Sequence, residues 1–315
     1  MATHDTALYE RVLNSFLSVS KQAGRVILDA STKMAQGDTT NMPDLKKNSA
    51  DLVTETDKQV EKLISKVLLN EYPSFSFMGE ETYKPGTPLG PEPTFIVDPI
   101  DGTTNFVHGY PYVSISLGLA VNREPVVGLV FNPFTGIRYS GVKGQGSFKV
   151  TLEPSAASAD GWTGRQDSVR LPTRHPTPLT GLDGTVIVVE WGSDRSGDNW
   201  KNKISTWSNL GRSKEEGGAI VHSGRSLGSA ALNLCSVAEG HVDAYWEGGC
   251  WAWDVCAGWV ILKEAGGIVV DGNPGGWDIA VTHRKYLAFR GAPTGQREIV
   301  EEFWRHVVGE MVYEH

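Results

Sequence analysis

Apolar residues recur at Leu8, Val12, Leu13, Phe16, Leu17 and Ile27, a spacing that predicts an amphipathic helix over residues 6 to 30. Asp51-Leu52-Val53-Thr54 predicts a short extended piece. Thr56-Asp57-Lys58-Gln59 is a capping-box pattern that opens a second helix, with Val60, Leu63, Ile64, Val67 and Leu68 on one face and Pro73 at its end. Phe75 to Met78 and Phe95 to Val97 predict short buried strands, separated by a loop carrying Pro85, Pro88, Pro91 and Pro93. Val113 to Val121 predicts a longer strand. Val126 to Phe131 and Ile137 to Val142 flank Asn132-Pro133-Phe134-Thr135-Gly136, a hairpin signal, and Gly144 to Val150 adds a strand. Residues 153 to 168, rich in Ser, Ala, Gly and Asp, predict an exposed loop or insertion. Further on, Val186 to Val189 predicts a buried strand, 192 to 202 a polar stretch, and Gly217-Gly218 a break. Ser226 to Ala238 predicts a helix of small residues, Asp243 to Trp246 a strand, Asp254 to Glu264 a helix stopped by Gly266-Gly267, and Ile268 to Val270 a strand. Antiparallel hairpins come first and alternating strands and helices follow. That order predicts a layered mixed α/β architecture in two halves, 1–170 and 171–315, forming one compact unit and not a TIM barrel.

Composition narrows the function classes. The chain has 315 residues, enough for a sizeable core, and a net charge of -8. Such a chain repels phosphate backbones and anionic lipids unless its basic residues cluster, and the longest basic run is Lys46-Lys47. Neither nucleic acid nor membrane is therefore an expected partner. The longest apolar run, Trp251 to Leu262, is interrupted by Asp254 and is too short to span a bilayer. The first residues lack a basic flank and an apolar segment, so the expected location is cytoplasmic. Cys235, Cys250 and Cys256 show no pairing or zinc-ligand spacing and read as packing residues.

The chemistry lies in the acids. Phe95-Ile96-Val97 delivers Asp98 to a strand end, where Pro99 is expected to stop the ladder and Gly102 to permit a tight turn. Two carboxylates three residues apart, Asp98 and Asp101, can share two cations about 4 Å from each other. The N–H groups of Gly102 and Thr103, if they open a helix, point at an anion. Alone, this pattern is an ordinary turn with two acids. It recurs, however: Glu80-Glu81 follows a strand, Asp254 opens a helix, and Asp51 and Asp57 bracket Thr54. Carboxylate oxygens in this number suit Mg²⁺ or Mn²⁺ rather than zinc.

Five segments closely resemble the motifs of the inositol monophosphatase family, in the family's order over about residues 8 to 290. They are Asp51 to Asp57, Gly79-Glu80-Glu81, Asp98 to Phe106, Gly224 to Ala231, and Trp253-Asp254-Val255-Cys256-Ala257-Gly258. The resemblance implies an alternating αβαβα sandwich, a homodimer, and a lithium-sensitive phosphomonoesterase that uses two or three Mg²⁺ ions. It implies that Glu80, Asp98 and the Ile100 carbonyl hold one ion, that Asp98, Asp101 and Asp254 hold another, and that a weaker third sits near Glu80. The nucleophile it implies is a metal-activated water, oriented by Thr103 with a proton passed toward Asp57. Asp101, Gly102, Thr103, Ala230 and Asp254 would border the substrate. Lys46 would reach the phosphate from a loop, and Glu247 would accept hydrogen bonds from a polyol.

Inositol monophosphate is thus the leading substrate. Fructose bisphosphate, histidinol phosphate, adenosine bisphosphate or a phosphorylated cyclohexane acid are alternatives, because the segments 84–93, 153–168 and 192–217 look enlarged. A non-catalytic ligand-binding relative would lack a metal carboxylate or Thr103, and all are present. Ten tryptophans beside paired acids raise the thought of a glycosidase, but core packing accounts better for most of them.

Overall fold

The structure, a computed structural model, describes residues 2–36, 49–155, 158, 161–164 and 168–314. The chain opens with α1 (Ala2–Gln36) and α2 (Ser49–Glu71). A first sheet follows: β1 (Ser76–Gly79), β2 (Thr94–Asp101), β3 (Ser114–Val121), β4 (Glu124–Asn132), β5 (Ile137–Val142), β6 (Gly146–Pro154) and β7 (Trp162–Gly164), in that spatial order. β8 (Val169–Arg170) pairs with β6, and the short α3 (Thr103–His108) links β2 to β3. The second sheet takes β9 (Val186–Val189), β10 (Ser223–Arg225), β11 (Ala244–Gly248), β12 (Ile268–Asp271) and β13 (Lys285–Phe289), in the order β10-β9-β11-β13-β12. Helices α4 (Gly197–Gly211), α5 (Ala230–Glu239), α6 (Ala252–Glu264) and α7 (Gln296–His306) complete the elements.

Alternation along each strand sorts the core into three slabs. Phe95, Val97, Leu117 and Leu119 face α1 and α2, where Phe16, Ile27, Val60 and Ile64 meet them. The neighbours of opposite parity, Ile96, Ala120 and Val130, face α5 and α6. The other side of α5 and α6 packs on Val188, Tyr245 and Tyr286 of the second sheet. The far face of that sheet, with Ile187, Val189, Trp246 and Leu287, is covered by Leu210 of α4 and by Ile299 and Phe303 of α7. The result is the layered αβαβα sandwich. No helix among the described residues is long and apolar enough to cross a membrane.

Glycine sets how closely α6 sits. A Cβ on Gly128 of β4 would stand 2.3 Å from the Ala257 carbonyl oxygen, and one on Gly118 of β3 would stand 2.5 Å from Cys256 Sγ. The helix therefore lies directly against the sheet backbone.

Several local expectations are corrected. Residues 51–54 are helical, not extended, because the buried stripe of Val60, Ile64 and Leu68 continues back to Val53 and carries α2 with it. The capping-box pattern at Thr56 accordingly falls inside the helix. Pro99 does not stop β2, which runs on to Asp101 through a bulge. The 153–168 segment is not simply an exposed loop. It contributes the end of β6 and all of β7, and Trp162 is 2% exposed, 5.1 Å edge-on to Phe131. The polar stretch from 192 runs into α4, which covers the second sheet with Leu210 and buries Thr206.

Candidate metal centre

The bulge in β2 creates the first corner of the site. Asp98 stands opposite Ser116 and Asp101 opposite Ser114, so β2 has one more residue than β3 between them. Proline, with no N–H to donate, is tolerated where the ladder is already interrupted. Asp98 Oδ1 accepts a 3.0 Å hydrogen bond from the Ile100 N–H inside the bulge. Gly102 then turns the chain with φ 94°, in contact with the Tyr112 and Gly228 carbonyls, and α3 begins at Thr103.

Asp254 comes from the first turn of α6, where its Oδ2 accepts the Trp251 N–H at 2.5 Å. Oxygens of Asp98, Asp101 and Asp254 all lie within 4.8 Å of one another. Glu80 follows the end of β1, its N–H donating to the Val97 carbonyl at 3.2 Å, and its charge bears on Asp98. Three of the sequence-predicted ligands therefore converge and the fourth borders them.

Electrostatics at this corner runs one way. Asp98 is 2% exposed, and burial pushes its carboxyl well above the ordinary range. The four charges that act on it next most strongly, from Glu80, Asp101, Asp254 and Asp57, push the same way. Burial also raises Glu80, Asp101 and Asp254, each to about 7. Burying several anions together is costly unless a cation offsets them, and an all-oxygen set fits Mg²⁺ or Mn²⁺.

Asp101 is braced from the second half of the chain. Its Oδ2 accepts the Ser229 hydroxyl at 2.5 Å and the Ala231 N–H at 2.9 Å, while Oδ1 accepts the Ala230 N–H at 3.3 Å. The start of α5 is thus fastened to the Asp101 carboxylate, a natural place for an anion. Asn105 of α3 donates to the Leu227 carbonyl at 2.7 Å and closes the same junction.

On the α2 side, Asp57 is 4% exposed, its Oδ1 has no hydrogen-bond partner, and burial followed by the charges of Glu80, Glu81 and Glu61 raises it to about 8. Thr103 is exposed, and its hydroxyl donates to the Ile100 carbonyl at 3.2 Å. Lys46 lies outside the described residues. Glu247 stands on β11, its Oε2 accepting the Tyr245 hydroxyl at 2.5 Å. Burial, then the charge of Glu190, raises it to about 8.

Sequence reasoning passed over Glu190, Glu61 and Lys203. Glu190 Oε1 accepts the N–H groups of Leu227 and Gly228 and the amide of Asn233, and Oε2 accepts the Ser226 hydroxyl, all at 2.7 to 2.9 Å. It holds the turn that presents Ser229 to Asp101. Its signal was available, since an acid directly after the apolar run Val186 to Val189 is the feature that exposed Asp98. Glu61 falls one helical turn after Asp57 and accepts the Glu81 N–H at 2.8 Å.

The inositol monophosphatase family model matches residues 8–308 of this chain. The chain is 50% identical to inositol monophosphatase 2 of Saccharomyces cerevisiae over 276 residues, 86% of this chain and 87% of the relative. It is 35% identical to the quinic acid degradation cluster protein x of Neurospora crassa over 330 residues, covering 92% of each. Among solved structures, inositol monophosphatase from Anabaena superposes with a TM-score of 0.68 at 25% identity, covering 95% of this chain and 96% of that one.

Proposed function

The chain belongs to the inositol monophosphatase family of phosphoric monoester hydrolases, and we propose that it hydrolyses a small polyol phosphate, inositol monophosphate foremost, with Mg²⁺ as cofactor. The observation that carries this reading is the meeting of Asp98, Asp101 and Asp254 oxygens within 4.8 Å, in a setting where the strongest charges on Asp98 are all negative. Those three residues, with Glu80 and the Ile100 carbonyl, are the ones that would hold the cations. Bound divalent cations lower the pKa of water and offset charge on phosphoryl oxygens.

The chain's own groups do the rest. Thr103 orients the attacking water, with a proton passed toward Asp57. The N–H groups of Gly102 and Thr103, where α3 starts, face developing negative charge. Glu247, on β11, accepts hydrogen bonds from the ring hydroxyls. The name of the Saccharomyces relative, inositol monophosphatase 2, supports inositol monophosphate. The likeness to the Neurospora protein supports a second reading, a phosphate ester of a hydroxylated cyclohexane acid.

A phosphate-release screen over inositol, sugar, nucleotide and cyclohexane-acid phosphates, with and without Mg²⁺, tests both readings. Release from inositol monophosphate that needs Mg²⁺ and outpaces the other esters is expected. No Mg²⁺-dependent release from any of them would overturn the function.

A further inference from the structure

Lys203 is a lysine 2% exposed, in a chain whose other cations lie largely at the surface. It sits in the middle of α4, on the face turned to the second sheet, and such burial is rare for an ammonium without a partner. Its Nζ donates to the Gly248 carbonyl at 2.7 Å and to the Trp191 carbonyl at 3.2 Å. Both carbonyls border acids of the site: Gly248 follows Glu247, and Trp191 follows Glu190. A Cβ on Gly192 would come 2.6 Å from the same nitrogen, so the turn at Trp191-Gly192 is fitted closely around it. Tyr313 covers the ammonium, its ring centroid 5.4 Å from Nζ, and the Tyr313 hydroxyl donates to Asp194 at 3.0 Å.

We propose that Lys203 is a positioning residue for the hydroxyl-binding end of the site: its ammonium fixes the two backbone segments that carry Glu190 and Glu247 and places a positive charge beside them. This rests on the reading of Glu247 as the acid that contacts a polyol. The groups around Glu247 support it. From its own strand and the following turn come Tyr245 and Cys250, from the end of β9 Glu190, from α6 Asp254, and from α4 Lys203. Around Lys203 stand Glu247, Cys250, Asp194, Arg195 and Tyr313. Glu190 and Asp254 push Glu247 toward its protonated form, and Lys203 is the cation that opposes them. Desolvation lowers Lys203 in turn, and the Glu247 charge counters that loss. Each charge thus favours the ionised form of the other. An ionised Glu247 can accept from two hydroxyls, whereas a protonated one must use one oxygen as a donor.

The test compares the full-length Lys203→Gln and Lys203→Arg variants on inositol monophosphate and on p-nitrophenyl phosphate, across pH and with Mg²⁺. Glutamine keeps two N–H donors for the carbonyls and loses the charge. The expected result for Lys203→Gln is a KM for inositol monophosphate raised about tenfold at neutral pH with kcat little changed, the acid limb of kcat/KM moved up by about one pH unit. Hydrolysis of p-nitrophenyl phosphate should hold, and Lys203→Arg should restore the limb. An unmoved limb in a folded Lys203→Gln protein overturns the proposal. Glu247→Gln separates the premise from the inference: equal effects of that change on both esters remove the polyol reading itself. Should Lys203→Gln fail to fold, the double variant Lys203→Met/Glu247→Gln decides. Recovery of folding or a higher Tm than Lys203→Met alone supports the paired charges, and simple addition of the two losses overturns them.

Discussion

Acids gather at two ends, the β2 corner and β11, and the ends differ in the charges around them. At the β2 corner, Asp98 is surrounded by Glu80, Asp101, Asp254 and Asp57, and every one of these charges opposes its ionisation. At the β11 end, Glu247 has acids near it as well, Glu190 and Asp254, but also Lys203, whose ammonium binds the carbonyl of the next residue, Gly248. The first end has no cation among its strongest neighbours, and the second has one from the chain's own helix. The same carboxylate chemistry is thus set among different charges.

Asp98→Asn should break this contrast most severely. Phosphate release is expected to fall by roughly 10³-fold or more, since a single electrostatic group at a reaction centre is worth about that much. The metal-free protein should gain stability, with Tm raised by a few degrees, because one of several mutually repelling carboxylates is neutralised. Calorimetry in chelator showing a lower Tm would contradict the electrostatic account.

The next effect is on pH dependence. Glu80, Asp101 and Asp254 have folded pKa values of about 7, above their unfolded values. The folded state therefore binds more protons, and their contribution is fully present below the unfolded pKa and lost as pH rises through about 7. In chelator, stability should fall between about pH 4 and pH 8. Mg²⁺ at a hundred times its Kd should add about 2.7 kcal/mol and offset the decline at the alkaline end. Denaturant titrations at several pH values measure both.

Glu190→Gln tests the joint between the two ends. It removes a carboxylate that accepts four hydrogen bonds and should cost about 1–3 kcal/mol. Because the turn it holds serves Asp101, turnover of polyol and aryl esters should fall together, as parallel assays on the two substrates would register. The smallest effect, Glu247→Gln, should be selective: KM for inositol monophosphate rises by roughly tenfold while aryl phosphate turnover stays within about twofold, as is usual for one lost charged hydrogen bond.

The acidic corner was legible in the sequence because its carboxylates obey local rules. Asp98, Glu80 and Asp254 stand where a strand ends or a helix begins, and apolar runs mark those points. The β2 bulge was not legible, because Pro99 reads as a stop until the partner strand is known to pair on both sides of it. Asp51 to Thr54 misled in a similar way: β-branched Val53 and Thr54 favour extension locally, but burial of Val53 against the α1 layer decides for helix. Lys203 gave no signal. In Asn199-Trp200-Lys201-Asn202-Lys203 it looks like one more solvated lysine, and its burial depends on Trp191, Gly248 and Tyr313, brought together only by the second sheet and the segment after α7.

The glycine at 128 bears on the acidic corner from a distance. With Ala257 of α6 resting on the β4 backbone, the helix that carries Asp254 is seated by main-chain contact. Gly128 thus acts as a spacer of zero thickness: any side chain there must lift α6, and Asp254 with it, off the first sheet.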